Sequence, residues 1–233
     1  IIERYDAHQS AFSPDVAARQ TRVPSTTWSD VSPETLSRKA AAEQALLTDL
    51  RAMDRGTLSE DELISAQILE RILADRVERA PFDEARIPFT GDWGFYSLPG
   101  FTLSRARIRT VEQAEAAIAR IEAVPAYLEA NRLNMRRGIE TGFMAHKDPV
   151  ATMIEQLGEI IVDDPTESQF YTPFKSLTNS IPETEQVRLQ EEAKAAIRVT
   201  IAAYEDFLRF VTLDYTPNVR DGAGIADLPQ GKE

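Results

Sequence analysis

The sequence of 233 residues contains no cysteine and only two histidines. The lack of cysteine excludes disulfides, thiolate zinc sites and thiol nucleophiles, but it leaves the compartment open, since cytosolic and periplasmic proteins can both lack it. His8 and His146 are isolated, and neither lies in the H-E-x-x-H pattern that places two zinc ligands one helical turn apart. We therefore interpret each histidine as an ordinary surface or packing residue.

Long apolar runs and basic tracts are absent as well. No run approaches the roughly 18 apolar residues of a membrane span, so the sequence predicts no such span. The formal net charge is -12, and no basic tract interleaved with aromatic residues offsets it, which excludes nucleic acid as a partner. With 42% apolar and 27% charged residues, the composition is typical of a globular protein, and we expect residues 1–233 to form a single helical domain.

Neither end of the sequence has the signals of a natural terminus. The chain starts at Ile1 with no Met and no apolar leader, and a removed export signal is one interpretation of this start. Residues 217–233 contain no capped final helix. The expectation from both ends is a piece of a longer protein, with 217–233 as a truncated tail.

Helix signals recur along most of the chain. Apolar residues at helical spacing and a capping box formed by Ser59 and Glu62 predict an antiparallel hairpin over 33–80. Further helices are predicted over 110–162. Residues 183–216 predict one long spine helix of roughly 30 residues. The fold class is all-α, an irregular bundle of about 7 to 9 helices without a repeat.

A long loop over 81–109 interrupts the helices. Its segment Phe89–Phe101 holds five of the 18 aromatic residues, and its glycines and Pro99 predict that it is not helical. The aromatic side chains either close one end of the bundle or wall a substrate cleft. The candidate cleft-lining residues are Trp93, Phe95, Tyr96 and Phe101.

No catalytic, cofactor-binding or metal-binding residue is assigned from the sequence. The acidic groups at 60–62, 163–164 and 191–192 are interpreted as a helix start, a cap and a solvent-facing pair. Arg105, Arg107 and Arg109 could recognise an anion, but ion pairing within this acidic protein is the favoured interpretation. A G-x-S-x-G elbow and a glycine-rich phosphate loop are both missing.

Short pieces along nearly the whole chain carry a family resemblance through their order and spacing. They are Asp30–Arg38, Trp93–Phe101, Ala119–Leu128, Asn134–Ile139, Ser168–Phe170, Pro173–Phe174, Ile181–Pro182, Tyr215–Pro217, Arg220–Asp221 and Gly224–Glu233. Together they resemble the N-terminal half of the bacterial domain-of-unknown-function 885 family.

The resemblance implies a mostly helical protein of roughly twice this length, similar to zinc-dependent peptidases and related hydrolases. Its H-E-x-x-H helix, with the zinc, would lie beyond Glu233, so no metal or catalytic residue is carried onto this chain. The chain would then be a non-catalytic N-terminal portion that forms a wall or lid of the cleft. Its partners would be its own missing C-terminal half and a peptide substrate.

The location of the protein and its function each have two interpretations. Export of family members favours a periplasmic or secreted location, with a cytoplasmic one as the alternative. The competing hypothesis for function is a stand-alone helical module for binding or assembly, without catalytic activity. It predicts a persistent apolar groove, whereas the leading hypothesis predicts an exposed apolar face where the other half docks.

Overall fold

The computed structural model describes residues 1–222, 224–229 and 231 of the chain. Within these residues it contains nine α-helices and no β-strand, which confirms the all-α class. The helices are α1 (Ile2–Phe12), α2 (Pro14–Thr21), α3 (Pro33–Ala52), α4 (Glu60–Arg79), α5 (Leu98–Ser104), α6 (Val111–Glu122), α7 (Val124–Thr141), α8 (Lys147–Ile160) and α9 (Glu183–Phe210). None of the described helices is long and apolar enough to cross a membrane.

Helices α3 and α4 form an antiparallel hairpin with its own small core. The capping box at the start of α4 is complete: the Ser59 side chain accepts from the amide of Glu62, whose carboxylate accepts from the amide of Ser59 at 2.9 Å. Ion pairs between Arg51 and Glu70 and between Arg76 and Glu43 join the two helices. The apolar contacts of the hairpin form a separate cluster from the main core, made by Leu46, Leu47, Leu50, Ala66, Leu69 and Leu73.

Helix α9 is the axis of the main core. Its 28 residues span about 42 Å, and one face is buried against α6, α7 and α8. Thr200, in the middle of this face, donates its hydroxyl to the carbonyl of Ile121 in α6 at 3.1 Å. A π-helical turn, Val211–Tyr215, and a 3-10 turn, Thr216–Asn218, continue the helix to the end of its predicted range.

The structure corrects the expectation that Phe89–Phe101 contains no helix, because α5 begins at Leu98. Pro99 lies in the first turn of α5, where the fixed φ of proline suits a helix and its missing N–H costs nothing. Gly100 lies against Gln169, and a Cβ on it would clash with the Gln169 side chain. Both residues therefore serve helix entry and close packing rather than helix breaking.

Thr110 and Gln113 have the spacing of a second capping box, but only half of that box is formed. The Thr110 hydroxyl accepts from the amide of Gln113 at 3.3 Å. The Gln113 side chain, however, accepts from the amide of Arg109 at 2.8 Å instead of from that of Thr110. Helix α6 still begins at the predicted place, since the cap oxygen alone satisfies an N-terminal amide.

We expect the protein to lose stability at alkaline pH, because three tyrosines, Tyr96, Tyr204 and Tyr215, are fully buried. Burial raises the pKa of all three phenols, that of Tyr215 to about 12. An unfolded tyrosine ionises near pH 10, so their stabilising effect is complete below about pH 10 and is lost as the pH rises toward 12. We expect the free energy of unfolding to fall by about 3 kcal/mol for Tyr215 alone, at about 1.4 kcal/mol per pKa unit.

Denaturant titrations between pH 8 and 12, together with the phenolate absorbance, measure this loss. Tyr215→Phe is the matched variant, because it removes one ionisable phenol from the same position. Its stability should depend less steeply on pH than that of the wild type. Equal slopes for the two proteins above pH 10 would contradict the assignment.

Candidate functional site

The aromatic segment Phe89–Phe101 is held in shape by a tight turn at its start. Phe89 and Gly94 form an isolated antiparallel bridge. The amide of Thr90 donates to the carbonyl of Trp93 at 2.8 Å, and the hydroxyl of Thr90 donates to the same oxygen at 3.0 Å. These bonds fix the backbone at Trp93, whose side chain stands at the end of the turn.

Phe95 and Tyr96 form the buried half of the segment, which we call the anchor. The Phe95 ring lies in edge contact with that of Phe207, with centroids 5.3 Å apart. The Tyr96 hydroxyl donates to the Gln156 side chain at 2.9 Å, and its carbonyl accepts from the hydroxyl of Tyr204 at 2.7 Å. Desolvation raises the pKa of the Tyr96 phenol, and the charge of Asp92 adds to this. The anchor thus ties the segment to the spine helix and to α8.

Trp93 and Phe101 form the exposed half, which we call the aromatic pair. Each of the two residues is 43% exposed. Their rings meet edge to face, with centroids 4.9 Å apart and planes at 89°. The Arg105 guanidinium lies over the Phe101 ring, with its carbon 3.5 Å from the centroid. The four candidate residues are therefore divided: two are in the core and two form a preformed apolar surface with a cation beside it.

The stacking of Arg105 corrects the interpretation of the basic group that follows the segment. The sequence favours ion pairing for Arg105, Arg107 and Arg109, but none of them pairs with an acidic side chain in the part of the chain that the structure describes. Arg105 instead donates to the carbonyl of Phe101 at 3.3 Å and stacks on its ring. A guanidinium can stack in this way because it is planar and weakly hydrated.

A cavity of about 560 Å³ lies elsewhere, between the hairpin, the turns after α4 and α7. Its walls carry many charges, but most are satisfied by one another. Arg76 pairs with Glu43, and Arg79 donates to both oxygens of Glu84. Arg137 pairs with Asp83. Because these arginines already form ion pairs with carboxylates, little unpaired charge is left in the cavity to bind a ligand.

Glu43 at the base of this cavity belongs to a buried charged group that sequence reasoning missed. Its Oε1 accepts from Arg76 at 3.1 Å and lies 3.3 Å from Nε2 of His8, which is also buried. A signal was available, since Glu43 stands within the apolar stripe that includes Ala40, Leu47 and Leu50 on α3. His8 is a packing residue here, as interpreted, with its ring against Phe12 at 4.9 Å between centroids.

The other histidine and the acidic residues noted in the sequence cap a helix, stabilise a turn or form ion pairs. His146 caps α8, accepting from the amide of Asp148 at 3.3 Å. Asp164 accepts from the amide of Thr166 at 2.9 Å in a turn, and Glu191 and Glu192 pair with Lys194 and Arg188 on the exposed side of α9. In the described part of the chain, no three histidine or acidic side chains stand close enough together to hold a metal ion. These residues therefore do not fit a zinc site.

The fold and the site define an all-α protein in which a buried aromatic anchor holds an exposed aromatic pair. The family follows from the sequence comparison. A family model described as "Bacterial protein of unknown function (DUF885)" matches residues 14–233, nearly the whole chain, and the chain belongs to this family. This confirms the membership of the domain-of-unknown-function 885 family that the sequence resemblance predicts. A search of curated proteins finds no match.

Proposed function

We propose that this chain is the non-catalytic helical portion of a zinc-dependent peptidase or related metallohydrolase, and that it forms a wall or lid of the substrate cleft. The zinc ligands belong to a part of the protein beyond the residues described here. The chain's own contribution is to bind and orient a peptide. The observation that carries the proposal is the aromatic pair, Trp93 and Phe101, held on a fixed support.

The geometry of the pair suits a substrate-contacting surface. Two large rings are left partly exposed although the segment around them is anchored in the core. Such a surface loses little conformational entropy on binding, because its side chains are already held by each other and by Arg105. The rings would take an apolar or aromatic side chain of a peptide, and Arg105 would favour a nearby carbonyl or carboxylate.

A second apolar surface supports the docking of further polypeptide. Ile64, Ile68 and Ile72 are exposed and follow one another at four-residue spacing on α4. They form a row beside that of Leu69 and Leu73, which fill the hairpin core. A row of three exposed isoleucines is costly in water unless another chain segment covers it. The stand-alone module remains the second candidate, with a separate protein on this face.

Removing one ring of the aromatic pair should weaken substrate binding in the longer, active protein. For Trp93→Ala or Phe101→Ala we expect KM for a peptide to rise about tenfold, which corresponds to about 1.4 kcal/mol of binding free energy. The turnover number kcat should change little, because the pair is proposed to bind substrate and not to take part in bond cleavage. Steady-state kinetics with a peptide series of varied side chains measures both constants.

Leu213→Ala is the matched control, since Leu213 is an exposed apolar residue on the turn after α9, outside the aromatic segment. It should leave KM unchanged. A normal KM in both Trp93→Ala and Phe101→Ala would return the whole segment to a packing role and remove the main support for a cleft wall.

A further inference from the structure

A second cavity, shallow and open to solvent, has a volume of about 380 Å³ and lies between α2, the residues that follow it and α6. Three arginines, Arg19, Arg22 and Arg120, line it together with one acid, Asp15. The Arg19 side chain donates to the backbone carbonyl of Asp15 at 3.2 Å, and neither Arg19 nor Arg22 pairs with a carboxylate in the described part of the chain. The cavity is therefore locally basic in a protein whose net charge is -12.

Arg120 is nine-tenths buried and is fixed in place by Trp28. Its guanidinium carbon lies 4.0 Å from the centroid of the Trp28 ring. The Trp28 indole N–H donates to the backbone carbonyl of Arg120 at 3.0 Å. The guanidinium is thus held at a set depth and angle on the wall of the cavity.

One edge of this guanidinium has no proper hydrogen-bond partner. Neither Nε nor Nη2 of Arg120 finds an acceptor among the described residues. Asp15 Oδ1 lies 2.7 Å from Nη2, but it stands off the line of the N–H bond, so it neutralises the charge without satisfying the donors. Buried donors on a charged group are almost always satisfied in folded proteins, so this edge calls for an acceptor.

Another arginine in the protein shows what this edge binds. Nε and Nη2 of Arg79 donate to the two oxygens of Glu84 at 3.1 and 2.7 Å. This fork of two parallel N–H groups matches the two oxygens of a carboxylate or phosphate. The Asp15 side chain is 48% exposed, so it can turn toward solvent and uncover the same edge of Arg120.

We propose that this cavity binds a small oxyanion, a carboxylate or a phosphate group. Two oxygens of the anion accept from Nε and Nη2 of Arg120 in the place that Asp15 now covers. Arg19 and Arg22 supply the remaining positive charge at the mouth. This site does not depend on the aromatic pair or on the proposed role in a zinc hydrolase, so binding of an anion can be tested separately.

Trp28 fluorescence in a Trp93→Phe background reports binding, because Trp28 then remains as the one tryptophan of the chain and stacks on Arg120. Inorganic phosphate and acetate are titrated separately at constant ionic strength, and the anion that gives a saturable change identifies the ligand chemistry. Asp15→Asn removes the competing carboxylate and should lower Kd about tenfold. Arg120→Lys keeps the charge but lacks the fork, and should raise Kd about tenfold or more.

Arg22→Ala tests the site without touching the core, since Arg22 is exposed. It should raise Kd severalfold while circular dichroism stays unchanged, so the test holds even where Arg120→Lys fails to fold. The absence of saturable binding of both anions in the Asp15→Asn protein would overturn the proposal. Binding that is indifferent to Arg22→Ala and to Arg120→Lys would overturn it as well.

Discussion

Gly94→Ala should lower the free energy of unfolding by about 3 kcal/mol, whereas Gly91→Ala, three residues earlier, should change it by no more than about 0.5 kcal/mol. A Cβ on Gly94 would lie 2.6 Å from the Tyr96 ring and 2.7 Å from the Cβ of Phe89. A Cβ on Gly91 would meet nothing within 4 Å. The same substitution is therefore made at a crowded position, Gly94, and at an open position, Gly91, of one segment.

The clash at Gly94 cannot be relieved cheaply. Phe89 and Tyr96 are both buried, and the Tyr96 carbonyl and hydroxyl are held by Tyr204 and Gln156. Neither glycine has a positive φ, since Gly142 is the one described glycine in that region. The difference between the two variants therefore reports steric crowding alone, without a contribution from a left-handed backbone.

Denaturant unfolding of the two variants, followed by circular dichroism, gives both free energies. Equal stability of Gly94→Ala and Gly91→Ala would mean that the anchor does not fix the segment. The aromatic pair would then lose the rigid support on which the cleft-wall proposal depends. A large difference confined to Gly94 would establish that the buried half holds the exposed half in place.

The helices could be predicted from sequence because their signals are local. Ser59 and Glu62 lie three residues apart and form the capping box they predict. The buried stripe of α9 depends only on residue spacing, and Leu189, Ala193, Ile197 and Tyr204 are all fully buried. The sequence also predicted that the spine would continue to about residue 216, where the π-helical and 3-10 turns end it.

The arrangement within the aromatic segment could not be predicted, because it depends on distant partners. Nothing in the local sequence distinguishes Trp93 from Phe95, yet one is exposed and the other is packed on Phe207, more than a hundred residues away. Pro99 and Gly100 predict a break in a helix, although both fit the start of α5. Tertiary packing decided each case.

The same limit applies to the buried charges. Arg120 stands between Ile118 and Ile121 in the apolar part of α6, and Trp28 covers it from the segment before α3. Glu43 on α3 and His8 on α1 are in contact although they lie 35 residues apart in the sequence. Contacts of this kind have no periodic signal, so the hint that the sequence offers is a charged residue placed among apolar ones, as Glu43 and Arg120 are.

The central claim is the proposal that this chain is the non-catalytic portion of a longer zinc hydrolase, and its most direct test is to measure bound zinc and peptide hydrolysis in the proposed longer protein, beside residues 1–233 alone. We expect the longer protein to hold zinc and to hydrolyse peptides, and to lose this activity when the metal is chelated. Residues 1–233 alone should neither retain zinc nor cleave peptide, a loss of at least about a millionfold in rate. Zinc-dependent hydrolysis by residues 1–233 alone, or a longer protein without zinc or activity, would contradict the account.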